Sequence, residues 1–229
     1  MSTAEVTLDF QRVDRLGFGE AVLCADKSPA QIDEILRGVR EHGADCLLTR
    51  LVEDKLAAVL PAYRDTMDYD PVSQTAFFDH AARPAAAPQV AVVTAGTSDA
   101  RPAREALRTL AFHGVGATAV FDVGVAGIWR LMDRVVEIAR HPVVIAVAGM
   151  DAALPSVLGG LVPGVLIAVP TSAGYGVARG GETALFSCLA SCAPGVTVCN
   201  IDNGYGAACA ALRALRAAHR TGPDLGKAE

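Results

Sequence analysis

From Gln89 onward the chain alternates short β-branched apolar runs with helix-like stretches, and this alternation limits what it can fold into more than any other feature. The runs are QVAVVT, ATAVFD, VVIAVA, VLIAVP and VTVCN. Taken together they are too continuously apolar for strands with one wet face, so both faces must be covered. Between them lie helical segments at Pro102 to His113, Ile128 to Arg140, Ala152 to Leu161 and Glu182 to Ala193, with a last helix to about His219. This defines an α/β fold: a parallel sheet in a three-layer αβα arrangement. Ligands of such sheets collect at the carboxyl ends of the strands.

Composition supports the same reading. Residues are 52% apolar but only 5% aromatic, which suits small aliphatic side chains packed on a parallel sheet rather than an aromatic-rich barrel. At 229 residues the chain can form one large or two modest domains. A net charge of −5 argues against nucleic-acid binding and favours a small-molecule partner. The stretch from Val143 to Pro170 is apolar enough to raise a membrane span. Asp151 and the internal Gly and Pro residues instead predict two buried strands with a helix between them. The N-terminus has the features of no secretory signal, so a cytoplasmic protein is expected, and its six cysteines are expected to be reduced thiols. No CxxC pair suggests a structural zinc site.

Ahead of the repeat, Ser28-Pro29 with Gln31 predicts a helix opened by a capping box, burying Ile32, Ile35, Leu36 and Val39 and ending at Gly43. A strand CLLTR and a helix from Leu51 to Leu60, stopped by Pro61, complete a small α/β unit. The expected organisation is a small N-terminal α/β domain over 1–80, a linker over 81–88 within HAARPAAAP, a catalytic domain over 89–220 and a polar tail over 221–229.

The strand ends nominate a site. They carry Gly96, Thr97, Ser98 and Asp99; then Asp122; then Gly149, Met150 and Asp151; then Pro170, Thr171, Ser172, Tyr175 and Gly176; and finally Asn200, Asp202, Asn203 and Gly204. Ser98 and Asp99 precede a helix, where they serve either as N-caps or as contacts to phosphate and ribose. Neither a P-loop nor a GxGxxG fingerprint is present. Asp151 follows an apolar strand, so burial would make its charge costly; it reads as an acid, base or metal ligand, or as a helix N-cap. TSAGYG has the composition of a ligand-covering loop or a plain surface loop. Cys188 and Cys192 lie four apart at a helix end, and Cys199 lies in the last strand. Spacing alone leaves the reactive thiol open, although Cys192 leaves its helix at the Pro194-Gly195 turn.

The motifs TAGTSD, FDVGVAG, VAGMDAALPSVLGGLV, IAVPTSAGYG, GGETAL, SCAPGV and NIDNGYGA occur in this order and resemble the LarB family of nickel-pincer cofactor biosynthesis. The lead-in RLGFGEAVLCADKSPAQI is similar too, with Gly19 where that family commonly has Pro. Asp151 stands where it usually carries Glu. The resemblance implies a PurE-like, flavodoxin-type catalytic domain and a homo-octamer. PurE proteins have a histidine in AGGxAHLPGM; here Ala153 occupies that position, which removes the proton donor of an aminoimidazole ribonucleotide mutase.

LarB resemblance further implies an enzyme that is both carboxylase and hydrolase. It would convert nicotinic acid adenine dinucleotide, CO2 and water to pyridinium-3,5-biscarboxylic acid mononucleotide and AMP. Cys192 of SCAPG would be the nucleophile, Asp151 the base, and the other strand-end residues the substrate contacts. Mg2+ is the expected cofactor, with its ligands unassigned.

Overall fold

The computed structural model describes residues 6–81 and 87–219. The N-terminal unit runs α1 (Arg12–Leu16), β1 (Ala21–Leu23), α2 (Pro29–Glu41), β2 (Cys46–Thr49), α3 (Glu53–Ala58), α4 (Pro61–Arg64), β3 (Met67–Asp70) and β4 (Thr75–Phe78). α2 begins as its sequence predicts. Ser28 Oγ accepts from the Gln31 amide at 3.2 Å while Gln31 Oε1 accepts from the Ser28 amide at 2.9 Å. Such a cap stabilises a helix by about 1 kcal/mol. Ile32, Ile35, Leu36 and Val39 are buried on its inner face. They pack on a four-stranded sheet of order β1-β2-β4-β3, in which β1 and β2 are parallel and the other pairs antiparallel.

Three features of this unit differ from expectation. The β3-β4 hairpin and the three-residue β1 are additional strands. The helix expected over Leu51 to Leu60 is only α3, because Pro61 does more than stop a helix: it occupies the first turn of α4, where its missing N–H costs nothing. The expected linker is described only at its ends, and the tail over 221–229 lies outside the described residues.

The second unit contains β5 (Val90–Thr94), α5 (Ala100–Phe112), β6 (Ala117–Val120), α6 (Ile128–Met132), α7 (Val135–Ile138), β7 (Val143–Ala148), α8 (Ala153–Gly159), β8 (Val165–Pro170), α9 (Glu182–Leu189), β9 (Val196–Val198) and α10 (Gly204–His219). Its five strands are all parallel, in the order β6-β5-β7-β8-β9. Alternation along the strands builds two cores. Val90, Val92, Ile145, Val147 and Ile167 face α5 and α10, whereas Ala91, Val93, Val144, Ala146 and Ala168 face the layer holding Leu131, Ile138, Leu158 and Ala184. Full burial of an aliphatic side chain contributes about 1.5–3 kcal/mol, so double coverage explains why these strands are so apolar.

The molecule is therefore a flavodoxin-type αβα sheet with a small mixed N-terminal domain. Val143 to Pro170 forms β7, α8 and β8, and no helix of the described residues is long and apolar enough to cross a membrane. The strand order reverses between β5 and β7, opening a crevice at their carboxyl ends. The helix expected over Ile128 to Arg140 is broken into α6 and α7, and that expected over Glu182 to Ala193 ends at Leu189.

Candidate functional site

A cavity of about 450 Å³ opens at that reversal. Gly96, Ser98 and Asp99 line it from the end of β5, Asp122 from the end of β6, and Gly149, Met150 and Asp151 from the end of β7. Tyr175 reaches it from the loop after β8. Four of the eight described non-glycine residues with positive φ occur at the strand ends of this sheet: Asp122 (59°), Met150 (57°), Ala152 (46°) and Asp202 (55°). Left-handed backbone costs such residues on the order of 1 kcal/mol each, a cost that persists where surrounding structure holds a functional loop. Gly149 has no room for a side chain: a Cβ would lie 2.6 Å from Thr171 Oγ1 and against the Ala173 carbonyl.

Asp99 organises the mouth. Its carboxylate is 3% exposed and accepts from Thr171 Oγ1 at 2.6 Å and from the Gly96 amide at 2.8 Å. The Gly149 amide also donates to it, so one side chain joins the ends of β5, β7 and β8. Burial raises its pKa, and these three donors pull it back without cancelling the shift. Asp99 thus braces the site, with its oxygens already engaged. Thr171 is buried against it. Ser172 instead donates from its hydroxyl to Asp202 at 2.7 Å and from its amide at 3.0 Å, so these two residues anchor the TSAGYG loop instead of facing the cavity.

Asp151 corrects the sequence reading. It is exposed in the cavity, and the helix N-cap is Ala152. The left-handed turns at Met150 and Ala152 swing the carboxylate out of the core, so the argument from costly burial does not apply, whereas a carboxylate open to a ligand does. Asp122 pairs with Arg130, Nη1 to Oδ2 at 2.8 Å, and Arg130 also lines the cavity. Arg130 is a cation that sequence reasoning missed, because a lone arginine in a helix carries no local signal.

The remaining nominated residues are elsewhere. Thr97, Pro170 and Gly176 are not among the cavity's walls. Asn200 and Asn203 line a second cavity against the N-terminal unit, and Asp202 and Gly204 flank it. Asp202 takes a hydrogen bond from Arg101 at 2.8 Å on its carboxylate and one from Arg50 at 3.1 Å on its carbonyl. Neither arginine was nominated.

Cys192 is the largest displacement. It lies between α9 and β9, and therefore at the amino edge of the sheet, opposite the cavity of its own chain. From Leu166 to Pro170 alone, β8 spans about 13 Å between the two edges. Ser191 holds the cysteine loop to α8 through a 2.7 Å hydroxyl contact with Ser156. Cys192 is nonetheless the only exposed cysteine: Cys24, Cys46 and Cys188 are buried, and Cys199 and Cys209 are half-buried. Burial pushes the Cys188 thiol up to about 11 and raises Cys199 and Cys209 as well. Those five are poor thiolates at neutral pH.

A parallel sheet with a cavity at its topological switch point, edged by carboxylates, defines a ligand-binding αβα domain, here joined to a small mixed domain. Two family models match in tandem: the LarB/PurE-like N-terminal domain over residues 2–80 and AIR carboxylase over residues 89–225. The chain belongs to the LarB family, with a PurE-like C-terminal domain. An uncharacterised protein of Methanocaldococcus jannaschii is 47% identical over 121 residues. That alignment covers 52% of this chain and 46% of the relative, so the chain spans about half the length of the curated relative it matches. Membership in this family supports carboxylase-type chemistry.

Proposed function

We propose that the chain carboxylates the pyridinium ring of nicotinic acid adenine dinucleotide and hydrolyses the phosphoanhydride. The products are pyridinium-3,5-biscarboxylic acid mononucleotide and AMP, and the setting is the cytoplasm, where a thiol stays reduced. The observation that carries this reading is that the one exposed cysteine is the one in SCAPG.

A pyridinium ring is too electron-poor to attack CO2. Addition of the Cys192 thiolate to carbon 4 gives a neutral dihydropyridine with a nucleophilic carbon 5. Carbon 5 bonds to CO2, and Asp151 takes the proton from that carbon. The electrons return through the ring and break the carbon–sulfur bond, so the pyridinium and the thiolate are both regenerated. A thiolate suits both halves of the cycle, as nucleophile and as leaving group.

The two groups lie at opposite edges of one sheet, so a second copy of the chain must supply the thiol. Exposed apolar side chains support such an assembly. Phe186 and Leu189 are 63% and 64% exposed on α9, the helix that precedes Cys192, while Trp129 is 65% exposed on α6, whose Arg130 lines the cavity, and Val136 is 66% exposed on α7. Large apolar side chains left this exposed on both elements are available for such a contact. A homo-octamer, as in PurE-like proteins, would seat the SCAPG loop of one copy at the cavity of the next.

Among the described residues no three His, Cys, Asp or Glu side chains are grouped to hold a metal. Magnesium would therefore be held largely by the substrate phosphates with Asp151 or Asp122 beside them, and no step above depends on it. An aminoimidazole ribonucleotide carboxylase is the alternative activity, and Ala153 in place of the histidine disfavours it. Incubation with nicotinic acid adenine dinucleotide, bicarbonate and magnesium is expected to release AMP and a mononucleotide heavier by one carboxyl group, read by mass spectrometry. Turnover of an aminoimidazole ribonucleotide without that product would overturn the reading.

A further inference from the structure

Cys192 lies in the turn over 190–195 that joins α9 to β9. Exposure alternates along this turn: Ser191 and Ala193 are half-buried, whereas Cys192 between them is exposed. Its neighbours therefore face the protein while the thiol faces outward. One oxygen secures the chain on both sides of it. Ser191 Oγ accepts from the Ala193 amide at 3.2 Å and lies 2.7 Å from Ser156 Oγ on α8. A hydroxyl has one hydrogen and two acceptor sites, so it holds both contacts at once. The Ser191 amide in turn donates to the Cys188 carbonyl at 3.3 Å, tying the turn back to α9.

The helix beneath the turn is shaped to seat it. Ser156 and Gly159 are three residues apart on α8 and so share one face. A Cβ at Gly159 would lie 2.6 Å from the Ala193 Cβ, so only glycine lets the turn come this close. Leu154 and Leu158 are buried in the core under α8, which fixes the seat itself. At its first turn the same helix lines the main cavity through Ala153 and Leu154. Seven residues, about 10 Å of helix, thus carry a cavity wall at one end and the thiol's seat at the other. Nothing in this clasp ionises: two hydroxyls, an amide and a glycine can place a sulfur but bring no charge to it.

We infer that Ser191, held by Ser156, is a positioning residue that fixes the direction in which the Cys192 sulfur is presented to the ring. The inference rests on the thiol-adduct reading for what the sulfur meets. A reacting group misplaced by about 1 Å can lose on the order of a hundredfold in rate. The clasp acts after substrate has bound, so its loss belongs to kcat and leaves KM unchanged.

The test compares the unmodified full chain with Ser191→Ala, Ser191→Thr and Gly159→Ala. Ser191→Ala removes the oxygen, Ser191→Thr keeps it, and Gly159→Ala pushes the turn off its seat without touching a hydroxyl. Carboxylation kcat should fall about tenfold or more in Ser191→Ala and Gly159→Ala with KM unchanged, and Ser191→Thr should restore it. Alkylation of Cys192 by iodoacetamide across a pH series should be the same in all four proteins, because a freely diffusing reagent needs no oriented sulfur. Hydrogen exchange at the Ala193 amide, read by mass spectrometry, should quicken about tenfold in Ser191→Ala and not in Ser191→Thr. Unchanged kcat in Ser191→Ala and Gly159→Ala overturns the inference, as does a Ser191→Thr chain as slow as Ser191→Ala. An alkylation profile that moves together with kcat also overturns it, by assigning the hydroxyl to ionisation of the thiol. In a chain that carboxylates nothing, exchange still decides: quickening in Ser191→Ala alone retains the clasp and removes the adduct reading, whereas equal exchange removes the clasp.

Discussion

The two edges of the parallel sheet differ in kind. The carboxyl edge carries the cavity, the left-handed turns and the open carboxylate of Asp151, but no exposed thiol. The amino edge carries Cys192 with Phe186 and Leu189 in water near it. A single copy therefore separates the two groups that the proposed chemistry needs together, and assembly would be part of the catalytic site as well as of stability.

The largest effect expected from breaking this division is at the amino edge. Cys192→Ala should lower carboxylation by about a thousandfold or more while leaving the fold intact, since the side chain is exposed. Carboxylation rates and circular dichroism of the same preparation check both halves of that statement; an active variant would remove the thiol from the mechanism. Leu189→Glu should come next, dissociating the assembly and lowering activity about a hundredfold without unfolding the chain, because a charge cannot be buried unpaired at an interface. Light scattering and activity should fall together, and an active monomer would contradict the two-copy site.

The smallest effect belongs to the carboxyl edge. Burial raises the Asp99 pKa, so the folded state holds its proton more tightly than the unfolded chain does. The associated stability is present below the ordinary carboxylate range, about pH 4, and is lost as pH rises through the folded value. Asp99→Asn does not titrate, so its melting temperature relative to the unmodified chain should move in the variant's favour as pH rises from about 4 to neutrality. A difference that is flat with pH would show that this carboxylate does not titrate differently on folding.

The contrast between the edges also explains what could be read in the sequence. The buried strands were legible because coverage on both faces forces long apolar runs, and α2 was legible because its capping box is a local motif. The β3-β4 hairpin was not, since Met67–Asp70 is largely polar and reads as a loop until Thr75–Phe78 pairs with it. Asp151 was correctly placed at a strand end, but its exposure depends on backbone turns that composition does not reveal. The location of Cys192 was available from chain order: a residue after a helix and before a parallel strand lies at the amino edge. Arg50, Arg101 and Arg130 acquire meaning only from the residues that folding brings to them.

The most direct test of the two-copy site is complementation. Cys192→Ala and Asp151→Ala chains, each inactive alone, should be unfolded and refolded together as mixed assemblies, and their carboxylation measured. The account predicts recovery of roughly a quarter of full activity, because random mixing pairs an intact cavity with an intact thiol from a neighbouring copy at about that frequency. Mixed assemblies that remain as inactive as the separate variants would contradict it.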